Sequence, residues 1–283
     1  MLNGCAYILT VDVGNTFIRF GLFAEDSAAA QERPLATCEI TTPARITADE
    51  ARMRLVQVMG ALAADAGVPG VLVPGAAVLS CVVPALERPW KAALSRTCTG
   101  RVLTVGPGLK TGMPVHYDDP AEIGPDRIAD AVAARAVYGS PCIVIDLGTT
   151  TNIEVIDAHG TFVGGVIAPG LALGARSLSA AAARLPQVEP SAPTHVIGRN
   201  TREAMRSGVV LGEVARIDGM LDMVLAEMRA TKAAGEGDVP IVITGDDAEA
   251  LAALVGHSLT VDDALTLRGL AELYHINQKP RRA

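Results

Sequence analysis

Tyr7-Ile-Leu-Thr-Val-Asp12-Val-Gly14-Asn15-Thr16-Phe17-Ile-Arg-Phe-Gly-Leu-Phe23 decides the fold. An apolar run leads to Asp12, a Gly-Asn-Thr bend follows, and a second β-prone run returns through Phe17, Ile18, Phe20, Leu22 and Phe23. Gly-Asn suits a tight hairpin because both residues tolerate positive φ. Two antiparallel strands are therefore expected, with a carboxylate at the end of the first. A carboxylate on a buried strand loses its hydration and needs a partner. A Mg²⁺ ion carrying a nucleotide phosphate is one such partner. Gly14 lets the backbone approach the phosphate, and Asn15 and Thr16 offer donors to its oxygens. A hairpin whose Asp12 bonds its own turn amides is the alternative.

A second copy follows. Cys142-Ile-Val-Ile-Asp146-Leu-Gly148-Thr149-Thr150-Thr151-Asn-Ile-Glu-Val-Ile-Asp157 repeats the apolar strand, the Asp-x-Gly-x-Thr turn and the return strand, and Gly160 to Ile167 reads as a third strand. Strand, acidic turn and strand occurring twice in one chain point to an internal duplication. Two such turns, facing each other, can hold phosphate and metal between them.

The 283 residues allow two moderate domains with ample core. With 49% hydrophobic but only 3% aromatic residues, that core must be built mainly from Ala, Val, Leu and Ile. A formal charge of −7 provides no broad basic field for nucleic acid or anionic membrane. Cys5, Cys38, Cys81, Cys98 and Cys142 form no Cys-x-x-Cys pair, and reduced core thiols fit them better than disulfides or zinc. The five histidines lack metal-ligand spacing. No basic n-region precedes the first apolar run, and no apolar run reaches the ~20 residues of a membrane span. A soluble cytoplasmic protein is the expectation.

Along the chain, residues 24–34 read as a surface connection and Leu35 to Ile40 as a strand. Thr47-Ala-Asp-Glu50 is a capping box opening a helix with Met53, Val56, Met59, Leu62 and Ala63 on one face. Val71 to Val73 and Ala76 to Val83 are β-prone, Ala85 to Arg96 helical, and Arg101 to Val105 a strand. Alternating strands and helices indicate α/β. Gly124-Pro125-Asp126 has an N-cap, a proline for the first helical position and an acid for the first turn. The helix should run to Gly139 and link a half spanning residues 1–123 to one spanning 124–283. Helices are then expected over Leu171 to Leu185, from Thr201 to about Arg229, over Asp247 to Leu254 and over Asp263 to Asn277. Strands are expected at Val239 to Gly245 and Ser258 to Val261, and Lys279 to Ala283 reads as a frayed tail. Gly208 and Gly212, four apart, suit close packing against a neighbouring element.

Five motifs occur in order: Asp12-Val13-Gly14-Asn15-Thr16; Ser80-Cys-Val-Val-Pro84; Tyr117 to Arg127; Asp146-Leu-Gly-Thr149; and Gly164-Gly-Val-Ile-Ala-Pro-Gly170 with Ile197-Gly-Arg-Asn-Thr201. Together they resemble the type III pantothenate kinases, of the acetate and sugar kinase, Hsp70 and actin superfamily. The resemblance covers nearly the whole chain. It implies a duplicated ribonuclease-H-like, actin-like fold with a cleft between two similar halves. It also implies transfer of the ATP γ-phosphoryl to the primary hydroxyl of pantothenate, the first step toward coenzyme A, with Mg²⁺ and a monovalent cation (K⁺ or NH₄⁺), in a homodimer. By that resemblance Asp126 is the catalytic base. Asp12 holds Mg²⁺ directly or through water, and the segment Asp12, Val13, Gly14, Asn15, Thr16, Phe17, Ile18 and Arg19, with Thr149, meets nucleotide and phosphate. Tyr117, Gly124, Pro125, Asp126 and Arg127 meet pantothenate, with Thr201 supplied by the other subunit. Asp146 binds the monovalent cation.

Physical chemistry offers plainer alternatives for several of these. Asp126 also suits a helix dipole, Arg127 an ordinary ion pair rather than a fork onto a carboxylate, Tyr117 a rim position, Asp146 a phosphate-side carboxylate without an ion, and Thr201 a helix start. The chain departs from the family pattern twice. Asp146-Leu-Gly-Thr-Thr-Thr-Asn152 stands where the family has Asp-Phe-Gly-Thr-Ala-Thr-Thr, and Thr244-Gly245-Asp246-Asp247 where it has Thr-Gly-Gly. Asp246 adds bulk and charge beside a polyanion, and two charges ~4 Å apart interact by roughly 1–4 kcal/mol between water and protein surface. A family member without catalysis that binds or regulates, and an actin-like kinase for another hydroxyl substrate, are the competing functions.

Overall fold

The computed structural model describes residues 7–25 and 32–278; Cys5, most of the connection over residues 24–34, and the tail from Lys279 lie outside the described residues. The chain builds two five-stranded sheets of one topology. The first contains β1 (Tyr7–Val13), β2 (Phe17–Ala24), β3 (Ala36–Thr41), β4 (Ala76–Cys81) and β5 (Val102–Thr104), ordered β3-β2-β1-β4-β5. The second contains β6 (Cys142–Leu147), β7 (Thr150–Ile156), β8 (Phe162–Pro169), β9 (Ile241–Gly245) and β10 (Thr260–Val261), ordered β10-β9-β6-β7-β8. In both, the first three strands form an antiparallel meander and the fourth and fifth join parallel. The duplication expected from the two acidic turns is thus carried by the whole sheet.

Helices α1 (Ala48–Asp65), α2 (Pro84–Thr97), α3 (Pro125–Tyr138), α4 (Leu171–Ala181), α5 (Thr201–Arg206), α6 (Gly212–Ala230), α7 (Ala248–Ala252) and α8 (Leu265–Ile276) complete the chain. A 3₁₀ turn spans Pro120–Glu122, and a π-helical turn, Ser207–Leu211, joins α5 to α6. The capping box forms as read: Thr47 N–H donates to Glu50 Oε2 at 2.8 Å, and Glu50 N–H to Thr47 Oγ1 at 3.2 Å. The buried stripe of α1 is nevertheless Ala51, Leu55, Val58, Met59, Leu62 and Ala63. Met53 and Val56 lie off that stripe and are exposed. Val71 to Val73 form no strand.

By internal contacts, the described residues up to Val137 together with those from Ala264 onward form one compact unit, and residues 138–263 the other. In the first, Val11, Val13, Phe20 and Leu22 pack with Leu55, Leu62, Trp90 and Leu94 of α1 and α2. The few aromatics are used inside, with the Phe20 and Trp90 rings 5.7 Å apart. The sequence divides the chain after residue 123, but α3 and α8 both join the first unit. The backbones of these helices touch: a Cβ at Gly269 would stand 1.9 Å from the Ala129 carbonyl oxygen. In the second unit, Ile143, Ile145, Ile153 and Val155 pack with Val214, Ile217, Leu221 and Leu225 of α6. Gly208 and Gly212 face open space: among the described residues, nothing beyond their own helix backbone lies within 4 Å of a Cβ built on either, so neither packs against a neighbouring element there.

Cys38, Cys81, Cys98 and Cys142 are free thiols. Burial pushes Cys81 and Cys98 up to about 11 and Cys142 to about 12, which keeps them unreactive at neutral pH. No helix is long and apolar enough to cross a membrane among the described residues.

Candidate active site

The first acidic turn closes differently from a two-residue hairpin. Val13 pairs with Ile18, and Gly14 N–H donates to the Phe17 carbonyl at 2.9 Å. Neither Gly14 nor Asn15 has positive φ, because the longer bend does not require it. Glycine is needed at 14 for closeness instead: a Cβ there would lie 2.9 Å from the Phe17 oxygen. Thr42, just past the end of β3, secures the bend, its hydroxyl donating to the Gly14 carbonyl (2.8 Å) and its N–H to the Thr16 carbonyl (2.9 Å). Asn15 and Thr16 are left exposed at the tip, while the side chains of Val13 and Ile18 are core, so those two can offer a ligand only backbone.

Asp12 is 7% exposed, and its Oδ1 finds no hydrogen-bond partner among the described residues. Burial first, and the Asp126 charge second, push its carboxyl up to about 6. Ser80, its register neighbour on β4, and Arg19, its neighbour on β2, draw it back down. The Ser80 hydroxyl is itself buried and completes no full hydrogen bond. Arg19 is also tied elsewhere, donating to Glu39 at 3.0 Å and lying 5.9 Å from the centre of the Phe17 ring.

Asp126 stands in the first turn of α3, whose opening is capped by the Gly124 carbonyl accepting from Ile128 N–H at 3.2 Å. Its carboxylate curls back to accept from Arg127 N–H at 2.9 Å. Glycine at 124 leaves room for that carboxylate, since a Cβ there would sit 2.4 Å from Asp126 Oδ1 and push it aside. Burial raises the Asp126 carboxyl above the usual range, against the backbone N–H bonds and the Arg127 charge. Arg127 is buried, Gly124 and Pro125 are half-buried, and Tyr117 is half-buried on the segment before the 3₁₀ turn. The first unit thus brings Asp12, Arg19, Ser80, Asp126 and Arg127 into one electrostatic neighbourhood.

In the second unit three glycines crowd the turn after Asp146. Gly148 N–H donates to the Thr150 carbonyl at 2.9 Å, and Gly170 N–H to the Thr149 carbonyl at 3.1 Å. A Cβ at Gly170 would lie 2.2 Å from the Gly148 oxygen. Gly245, at φ +90°, passes so near that a Cβ would be 2.1 Å from the Leu147 oxygen and 2.7 Å from Asp146 Oδ1. Asp246 N–H donates to the Leu147 carbonyl at 2.6 Å, so this departure from the family pattern sits directly against the Asp146 strand. Thr201 is exposed, in the first turn of α5, which Asn200 caps through Glu203 N–H at 3.0 Å.

Ser80, Gly170 and Gly245 belong to these sites although they attract attention in the sequence only as parts of motifs. Glu213 and Arg216 carry no sequence signal. The buried Glu213 carboxylate accepts from Thr151 Oγ1 at 2.6 Å and from Arg216, which also donates to the Pro169 carbonyl. This bridge ties the start of β7 and the end of β8 to α6.

The sequence pattern of the Type III pantothenate kinase family matches residues 8–223. The chain belongs to the type III pantothenate kinase family. A Koribacter versatilis relative named Type III pantothenate kinase is 38% identical, with 97% of each chain covered. One of the same name from Nocardia farcinica is 41% identical, covering 97% of this chain and 99% of its own. The fold is shared more widely. A Campylobacter jejuni structure described as a putative Baf family transcriptional activator has a TM-score of 0.56 at 18% identity, covering 95% of this chain and 98% of its own. A ROK hexokinase from Thermus thermophilus reaches 0.51 at 14% identity, covering 96% and 100%. The duplicated two-sheet fold of the type III pantothenate kinase chain is accordingly shared with this hexokinase.

Proposed function

We propose that this type III pantothenate kinase transfers the γ-phosphoryl of ATP to the primary hydroxyl of pantothenate, the step that opens coenzyme A synthesis. The observation that carries the reading is Asp12 Oδ1, a buried carboxylate oxygen without a hydrogen-bond partner, beside a second raised carboxylate at Asp126. Such an oxygen fits Mg²⁺. No group of three or more His, Cys, Asp or Glu side chains able to hold a metal occurs among the described residues. An ion here would take one protein carboxylate and complete its shell with phosphate and water, which is how Mg²⁺ is commonly held. When bound with ATP, Mg²⁺ supplies neutralisation of phosphoryl charge.

The chain's own residues do the rest. The exposed Asn15 and Thr16 and the Gly14 backbone offer donors to phosphate oxygens, with Thr149 on the nucleotide side. Arg127 and Tyr117 orient pantothenate through its carboxylate and body. Asp126, raised by burial toward the working pH, accepts the hydroxyl proton as that oxygen bonds to the γ-phosphorus and the bond to ADP breaks. Asp146 holds a monovalent cation, and the backbone of Gly245 packs close beside its Oδ1. Thr201 completes the pantothenate site of the neighbouring subunit in a homodimer.

Asp246, bonded against Leu147, favours a second reading, a member that binds its ligands without turning over. A coupled ADP-release assay with pantothenate, with and without K⁺, separates the two. Release that requires pantothenate and rises with K⁺ is expected. Pantothenate binding without release would favour the second reading, and release indifferent to pantothenate would point to another hydroxyl substrate.

A further inference from the structure

Glu213 is a buried acid that the proposed reaction does not use. It lies in the first turn of α6, on the stripe through Val210, Val214, Ile217 and Leu221 that packs on the second sheet. An apolar side chain there would secure helix to sheet at least as well, since a buried ion pair recovers little beyond its own desolvation. What the acid adds is position. Its Oε1 accepts from Thr151 Oγ1 at 2.6 Å, its Oε2 accepts from Arg216, and Arg216 also donates to the Pro169 carbonyl at 2.5 Å. Those two points bracket the turn after Asp146. Thr150 pairs with Pro169, and Thr151 with Ala168, where β7 and β8 run side by side. One residue past Pro169, Gly170 N–H donates to the Thr149 carbonyl at 3.1 Å.

We propose that Glu213 and Arg216 are positioning residues for the nucleotide, holding the Gly148-Thr149-Thr150 turn in the shape that receives it. Glu213 fixes the start of β7 through Thr151, and Arg216 fixes the end of β8 through Pro169. Gly170, lacking the Cβ that would collide with the Gly148 oxygen, relays the second point to Thr149. The ion pair makes the two points one unit, so loss of Glu213 releases both. The ligand in this assignment rests on the kinase reading; the bridge itself does not.

Hydrogen exchange and calorimetric titration of a non-hydrolysable ATP analogue with Mg²⁺, both on the whole protein, test this with Glu213→Leu. Leucine suits the apolar stripe, so the variant keeps the α6 packing and removes the bridge. Amide exchange over residues 147–151 and 168–171 should quicken and analogue affinity should fall. Each change should be about tenfold to a hundredfold, the range for lost hydrogen bonds to a charged group and for partners that orient a binding group. The amides of β9 should keep their wild-type rates. Glu213→Gln, which retains an acceptor for Thr151, should fall between wild type and Glu213→Leu, and it keeps the test readable if the leucine variant melts early. Unchanged exchange in both segments, exchange quickened equally across β9, or wild-type affinity despite quickened exchange would each overturn the assignment. Failure of the wild-type protein to bind the analogue would overturn the kinase reading and the nucleotide role with it, whereas exchange quickened in the two segments alone would still uphold the bridge.

Discussion

Asp12, at the end of the first strand, lies within electrostatic reach of Asp126, at the head of α3: after burial, the Asp126 charge is the largest influence raising the Asp12 carboxyl to about 6. Two nearby carboxylates that are both partly withdrawn from water resist simultaneous ionisation. In the reaction proposed above, a cation between phosphate and Asp12 would relieve that resistance, and proton acceptance by Asp126 would exploit it.

The first consequence concerns the protein without metal or nucleotide. The folded-state value of Asp12, about 6, exceeds the unfolded 3.8, so the native state binds this proton more tightly. Its contribution to stability is full below the unfolded value, falls as pH rises toward 6, and stays lost above. About two pH units correspond to roughly 3 kcal/mol. Asp12→Asn should therefore raise the melting temperature of the ligand-free protein at pH 7.5, with most of that gain gone at pH 4.5, while abolishing turnover. Thermal melts at the two pH values check it, and a gain independent of pH would mean that charge is not what destabilises the site.

Asp126→Ala should lower turnover by roughly 10²–10⁴-fold, the range for a positioned acid or base, with little change in melting temperature. Steady-state kinetics on the folded variant decide. Near-normal turnover would assign Asp126 to the helix terminus alone.

The proposed sharing of Thr201 between subunits has a distinctive signature. Asp126→Ala and Thr201→Ala proteins, each weak alone, should regain activity when mixed and allowed to exchange subunits, because one mixed site contains an intact Asp126 and an intact Thr201. Light scattering that shows a fully active monomer would remove the idea.

Asp246 is expected to weaken nucleotide binding, since its backbone is fastened against the Asp146 strand where the family has glycine. Asp246→Gly should tighten MgATP. If repulsion dominates, Asp246→Asn recovers part of the gain, and if bulk dominates, only glycine helps. Calorimetric titration of the three proteins distinguishes these, and equal affinities would mean that the side chain points away from the nucleotide.

Much of the architecture is local and therefore legible in the chain. Asp12 and Asp146 sit at matching positions of two repeated strand-turn-strand segments, the capping box at Thr47 and Glu50 closes through neighbours three apart, and Pro125 with Asp126 marks a helix start. These features depend on backbone preference and short-range hydrogen bonds, which a sequence states directly.

Other features depend on which surfaces meet. The sequence alone establishes that Gly245 and Gly170 are glycines within motifs; only the tertiary structure shows that each passes within contact distance of the turn after Asp146. The return of α8 to the first unit has no local signal, because a helix's apolar face does not name its partner. The stripe of α1 and the bend at Gly14 were settled in the same way, by the sheet beneath and by the Val13–Ile18 pairing. The raised carboxyl of Asp12 belongs to this second class as well. Sequence determines that an acid ends the strand, but burial and the nearby Asp126 charge, both products of packing between distant segments, determine how strongly it holds its proton.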